Sequence, residues 1–214
     1  MTNLIFDYDG TLHDSIKIYA PAFRSAYAYL VRKRLAIPKE FADWEISYWL
    51  GFTAVEMWSS FLPDLPREEK QKCSEIIGKE MLHLINHGVA ELYPQTEDVL
   101  LKLKGKGYNL IFLSNCKHAY MDASVRQFRL DRFFSGFYCS EDFGFKPKHE
   151  IFDTIKADIP GDFIVIGDRL QDIEMAKLHN LKSIGCLYGY GTPAELKSAT
   201  VQINQLPDIL QLLS

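Results

Sequence analysis

From Pro94 onward the chain alternates between two hydrophobic periods, and that alternation leaves few architectures open. A helical pattern over "TEDVLLKLKGKG" gives way to a strand-like "YNLIFLSN". "AYMDASVRQFRL" then reads as helix and "GFYCS" as a short strand. "KPKHEIFDTIKAD" reads as helix before the strand "DFIVIGD", and "LQDIEMAKLHN" as helix before the strand "LKSIGCLYG". Strands separated by helices of this length pair in parallel through crossover connections, so an α/β layered core is expected. A further strand opens the chain, where "NLIF" ends at Asp7 and Gly10 marks a tight turn.

Between that first strand and residue 90 the pattern is helical throughout. Asp14 or Ser15 is placed to cap a helix in which Tyr19, Phe23, Ala26, Tyr27 and Leu30 recur at three- and four-residue spacing. That stripe reads as the segment's own core rather than as a stacking surface for nucleobases. All three tryptophans, Trp44, Trp49 and Trp58, fall in this stretch, and no strand is evident in it. The expected organisation is a core of residues 1–14 and 91–214 with a helical insertion over 15–90. A chain of 214 residues, 47% of them hydrophobic, has enough apolar material for both parts.

A net charge of −4 and the lack of a basic stripe speak against nucleic acid and anionic lipid as partners, and favour a small soluble substrate. No run approaches the roughly 20 apolar residues of a membrane span, and no leader is read at the amino terminus, so a cytoplasmic protein is expected. Cys73, Cys116, Cys139 and Cys186 lie far apart without C-x-x-C spacing and read as reduced thiols. His83 and His87 lack the glutamate of a zincin helix, and "GYGTPA" matches a dinucleotide fingerprint only formally.

In an open parallel sheet, ligands bind beyond the carboxyl ends of the strands. The first strand ends in Asp7 with Asp9 beyond it, and the second in Ser114 and Asn115. "DFIVIGD" ends in Gly167 and Asp168, with Asp172 four residues on, and Lys146 precedes Pro147 at a loop-to-helix junction. Carboxylates converging on one sheet edge repel unless a cation sits among them, and oxygen-only ligands point to Mg²⁺. A carboxylate left free by the metal can attack phosphorus while a neighbour shuttles the proton, and a hydroxyl and an ammonium can hold the phosphate. Asp7 and Asp9 suit the first two roles.

"DYDGT", "LSN", "KP" and "GDRLQD", in this order, resemble the four motifs of the haloacid dehalogenase superfamily across nearly the whole chain. The resemblance implies a Rossmann-like parallel sheet with an inserted helical cap. It implies Asp7 as nucleophile and metal ligand, and Asp9 as general acid/base with its main-chain carbonyl on the metal. Ser114 and Lys146 would bind the phosphoryl group, and Asp168 and Asp172 would complete and support the Mg²⁺ site. Lys146 is selected because the family places its lysine directly before proline, yet "KPK" leaves Lys148 as a local rival. By placement in the cap, Gly51, Phe52 and Glu56 are candidates for substrate discrimination, beside Asn115.

Asp9 separates this chain from the metal-free dehalogenases and favours phosphate chemistry, and "GYGTPAEL" further resembles the phosphoglycolate phosphatase-like branch. The implied protein is a Mg²⁺-dependent phosphatase of a small phosphorylated metabolite, as monomer or homodimer. The alternatives are a sugar phosphomutase similar to β-phosphoglucomutase, and a non-catalytic binding protein on the same fold.

Overall fold

The computed structural model describes residues 1–213. Strand β1 (Thr2–Phe6) leads directly into four helices, α1 (Ile16–Arg32), α2 (Asp43–Ser47), α3 (Ala54–Phe61) and α4 (Arg67–Asn86). Then α5 (Thr96–Gly105), β2 (Asn109–Ser114), α6 (His118–Phe128), β3 (Gly136–Cys139), α7 (Lys148–Asp158), β4 (Asp162–Gly167), α8 (Leu170–Leu178) and β5 (Lys182–Cys186) alternate. A short β6 (Val201–Ile203) and helix α9 (Ile209–Leu212) close the chain.

The six strands form one sheet in the order β3-β2-β1-β4-β5-β6, with every neighbouring pair parallel. All five strands read from the sequence are present. The sixth spans only three residues after a long loop, too short a run for a period of two to register.

Side-chain alternation sorts the strands between two apolar layers. Leu4, Phe6, Leu110 and Phe112 pack with Val99, Leu100 and Leu103 of α5 and Met121 of α6. Ile5, Ile111, Leu113 and Val165 pack on the opposite face with Ile151, Phe152 and Ile155 of α7 and Met175 of α8. A third buried cluster lies within the helical segment, where Tyr19, Phe23, Ala26 and Leu30 of α1 meet Met57 and Trp58 of α3 and Cys73 and Ile77 of α4. The stripe seen in the sequence is therefore that segment's interior, with Tyr27 packed at its margin.

The sheet reverses direction of growth between β1 and β4, which lie side by side with Phe6 opposite Ile166. The crevice at such a switch point is where open α/β sheets take their ligands. Residues that follow β1 and β4 are thereby neighbours, although about 160 positions separate them in sequence.

Candidate active site

At the end of β1 the Asp7 amide donates to the Ile166 carbonyl at 2.9 Å, extending the β1–β4 pairing by one residue into the crevice. The chain then turns: Leu12 N and His13 N both donate to the Tyr8 carbonyl, and Gly10 adopts φ +88°, a left-handed conformation that glycine alone takes without strain. A Cβ at Gly10 would also collide with the Asp168 carboxylate. The "DG" pair thus brings the two loops into contact.

Asp7, Asp168 and Asp172 come together there, all buried, each offering a carboxylate oxygen within 4.8 Å of the others. Asp168 accepts a hydrogen bond from Thr11 Oγ1 (3.2 Å) at one oxygen and from the Tyr190 amide (2.7 Å) at the other. Asp172 lies one helical turn on, and its Oδ2 accepts from the Arg169 amide at 3.1 Å. Burial pushes the Asp7 carboxyl well above the ordinary carboxylate range, Lys148 opposing this and Asp172 and Asp168 adding to it. Burial, then Asp172, pushes Asp168 up to about 7.

The lysine of this cluster is Lys148, not Lys146, and the expectation for Lys146 is corrected. Lys148 Nζ lies 2.6 Å from Asp7 Oδ1 and 2.6 Å from Asp172 Oδ1, with its side chain 3% exposed. Burial would pull its ammonium down in pKa, but Asp172 and Asp7 more than reverse that, and the net shift is upward. Lys146 is 61% exposed and pairs with Glu150 at 3.7 Å. Pro147, extended at φ −58° and ψ 148°, is the pivot, since α7 begins at Lys148 and its first residue already faces the sheet edge.

Asp9 belongs to a different network. Its Oδ1 accepts from the hydroxyls of Ser15 and Tyr120, the latter at 2.6 Å, and lies 3.4 Å from His13 Nδ1. Burial would raise the Asp9 pKa, but hydrogen bonds from His13, Ser15 and Tyr120 outweigh it and hold the carboxyl below its ordinary value. Ser15 is indeed the residue before α1, but its hydroxyl serves Asp9 rather than the helix amides. The Asp9 side chain is not part of the three-carboxylate cluster, although it lines the same cavity as Asp7.

That cavity, of about 190 Å³, lies between the helical segment and the sheet edge. Ser114 and Asn115 line it, as do Gly51 and Phe52, and Asn115 Nδ2 donates to the Gly51 carbonyl at 3.2 Å. Glu56 does not line it. Its carboxylate accepts from Thr53 N and Oγ1 at the start of α3, so the capping box, legible as Thr53–Glu56, consumes the group expected to meet substrate.

Arg169 was not singled out from the sequence, yet it is buried and tied to the helical segment. Its Nη1 donates to the carbonyls of Leu50 (2.6 Å) and Tyr48 (3.2 Å), Nε pairs with Glu195, and the guanidinium lies 4.9 Å from the Phe52 ring centre. The "GYG" stretch also proves to be part of the site. A Cβ at Gly189 or Gly191 would clash with Asp168, and Tyr190 between them supplies the amide that Asp168 accepts. Two glycines flanking one residue at the end of the last predicted strand were the available sign.

Three buried carboxylates and one ammonium leave a net charge of −2, and all the donors are hard oxygens, so the residues fit a Mg²⁺ ion held by Asp7, Asp168 and Asp172. The structure thus places a strand-end carboxylate, a paired lysine and an acidic cluster in the switch-point crevice of a parallel α/β sheet. Residues 4–186 match the model of the haloacid dehalogenase-like hydrolase family, and the chain belongs to it as an enzyme of that family.

Its relatives include a protein of Aliivibrio fischeri named phosphoglycolate phosphatase, 25% identical over 99% of this chain and 96% of its own. Phosphoglycolate phosphatase 1 of Pseudomonas aeruginosa is 26% identical, over 97% of this chain and 78% of its own. Among solved structures, a predicted phosphatase from Clostridium acetobutylicum superposes with a TM-score of 0.84 at 19% identity, covering 99% of this chain and 97% of that one.

Proposed function

We propose that the protein is a Mg²⁺-dependent phosphatase of small phosphomonoesters, working through a phosphorylated Asp7, with the helical segment of residues 15–90 acting as the cap over the site. The carrying observation is the meeting of Asp7 with Asp168, Asp172 and Lys148 beside a largely apolar cavity under the helical segment. Bound Mg²⁺ would neutralise the cluster and the phosphate oxygens, letting an ester dianion approach an ionised carboxylate.

Asp7, with one oxygen fixed by Lys148, attacks phosphorus, and the bond from phosphorus to the alcohol oxygen breaks. Asp9, protonated when the ester's negative charge enters the cavity that it lines with Asp7, passes that proton to the departing oxygen. Asp9, now ionised and held by the Ser15 and Tyr120 hydroxyls, accepts a proton from the water that attacks the acyl phosphate and frees Asp7. The net reaction is ester plus water to alcohol plus phosphate. Ser114, buried at the end of β2 and lining the cavity, would bind a phosphate oxygen.

The sequence alternatives draw no support from the site. A non-catalytic protein has no use for an intact acidic cluster with its lysine, and nothing in the cavity favours transfer to a sugar over transfer to water. The test is phosphate release from 4-nitrophenyl phosphate and from phosphoglycolate, the substrate in the names of the relatives, with and without Mg²⁺ and beside Asp7→Asn. Mg²⁺-dependent turnover that Asp7→Asn abolishes is expected. Turnover by Asp7→Asn equal to wild type would end the reading.

A further inference from the structure

The walls of the cavity are at odds with a charged leaving group. Trp49, Phe52, Met57, Ile77, Met81 and Phe145 face the space next to Asp7. Among the described residues that line it, the one cation is the exposed Lys117, just before α6. The guanidinium nearest the cap loop, that of Arg169, is spent on the carbonyls of Tyr48 and Leu50 and on Glu195. A carboxylate on the leaving group would be desolvated against aromatic rings and thioethers, beside two aspartates of the same sign, with only the solvent-exposed Lys117 as a cation to meet it.

Two further features maintain the apolar space. Gly78 stands in the interior of α4, where glycine is unfavourable relative to alanine, and a Cβ there would meet no atom within 4 Å. Packing does not require its smallness, whereas the cavity it lines would lose volume to any side chain. Phe145, which also lines the cavity, is held at φ +59°, a strained conformation for a bulky residue, and is exposed. An apolar cavity of about 150 Å³ accommodates benzene. The present one, of about 190 Å³, suits a single ring with a short arm.

We propose that the preferred substrates are phosphate monoesters of uncharged, apolar alcohols about the size of one aromatic ring, with Gly78 keeping the space for the ring open. The inference rests on the phosphatase reading and narrows it. The experiment compares kcat/KM for methyl, hexyl and benzyl phosphate and phosphoglycolate, with Mg²⁺, in the wild-type chain and in Gly78→Leu.

Benzyl phosphate is expected to exceed phosphoglycolate and methyl phosphate by about tenfold or more. Gly78→Leu is expected to shrink the benzyl-to-methyl ratio severalfold, its thermal midpoint reporting that the helix is intact. A preference for phosphoglycolate, or a benzyl-to-methyl ratio unmoved by Gly78→Leu, would overturn the inference while leaving the phosphatase reading in place. Absence of hydrolysis of all four esters would overturn both.

Discussion

Lys148 Nζ lies 2.6 Å from Oδ1 of Asp7, and at the same distance from Asp172, so one ammonium joins the residue after β1 to the first turn of α8. Removing one partner of a buried ion pair costs about 3–5 kcal/mol, because the remaining charges stay desolvated. Lys148→Ala is therefore expected to lower the thermal midpoint and to cut kcat/KM about 100-fold or more. Lys146→Ala, at an exposed pair with Glu150, should leave both nearly unchanged. Equal effects from the two variants would refute the assignment.

Ser15→Ala removes a donor to the ionised Asp9 carboxylate and should raise the Asp9 pKa. Because Asp9 is lowered from its ordinary value by His13, Ser15 and Tyr120 against the opposing effect of burial, losing one of them moves it back up. If Asp9 accepts the proton of the attacking water, the acidic limb of the kcat–pH profile moves to higher pH. An acidic limb that stays in place in the variant would remove Asp9 from that step.

Arg169→Lys keeps the charge at the junction of core and helical segment but loses the planar fork that reaches the Tyr48 and Leu50 carbonyls together. Hydrogen bonds from charged groups contribute about 1.5–3 kcal/mol, and the loop of Trp49–Phe52 that lines the cavity depends on these. The expected outcome is a raised KM with a smaller change in kcat. A variant with unchanged KM would show that the loop holds its place without the latch.

How far the sequence speaks for itself follows from the range of each signal. The five longer strands and the acidic residues at their ends are written in local hydrophobic runs and their terminations, so Asp7, Asp168 and Ser114 could be located without coordinates. Which lysine enters the site depends on the direction in which α7 leaves Pro147, a geometric fact that "KPK" does not carry. Glu56 illustrates the converse, since a capping box at the start of α3 explains it locally, and its placement in the expected cap drew it towards substrate instead. Arg169 and the Asp9 cradle are contacts between residues up to about 120 positions apart, beyond any periodicity.

The glycines after β5 offer a test of the metal site that does not depend on turnover. Gly191 packs directly on the Asp168 main chain, and Gly189 on its side chain, so that Tyr190 N can reach Asp168 Oδ2. Adding a methyl group at Gly191 must push this loop away from Asp168 and spoil the position of one expected metal ligand. A ligand that binds the native state alone stabilises it by about 2.7 kcal/mol at 100 times its dissociation constant. Millimolar Mg²⁺ should therefore raise the thermal midpoint of the wild-type chain by several degrees, and that of Gly191→Ala by much less at the same concentration. A Mg²⁺ response of equal size in both would mean that the ion does not use Asp168.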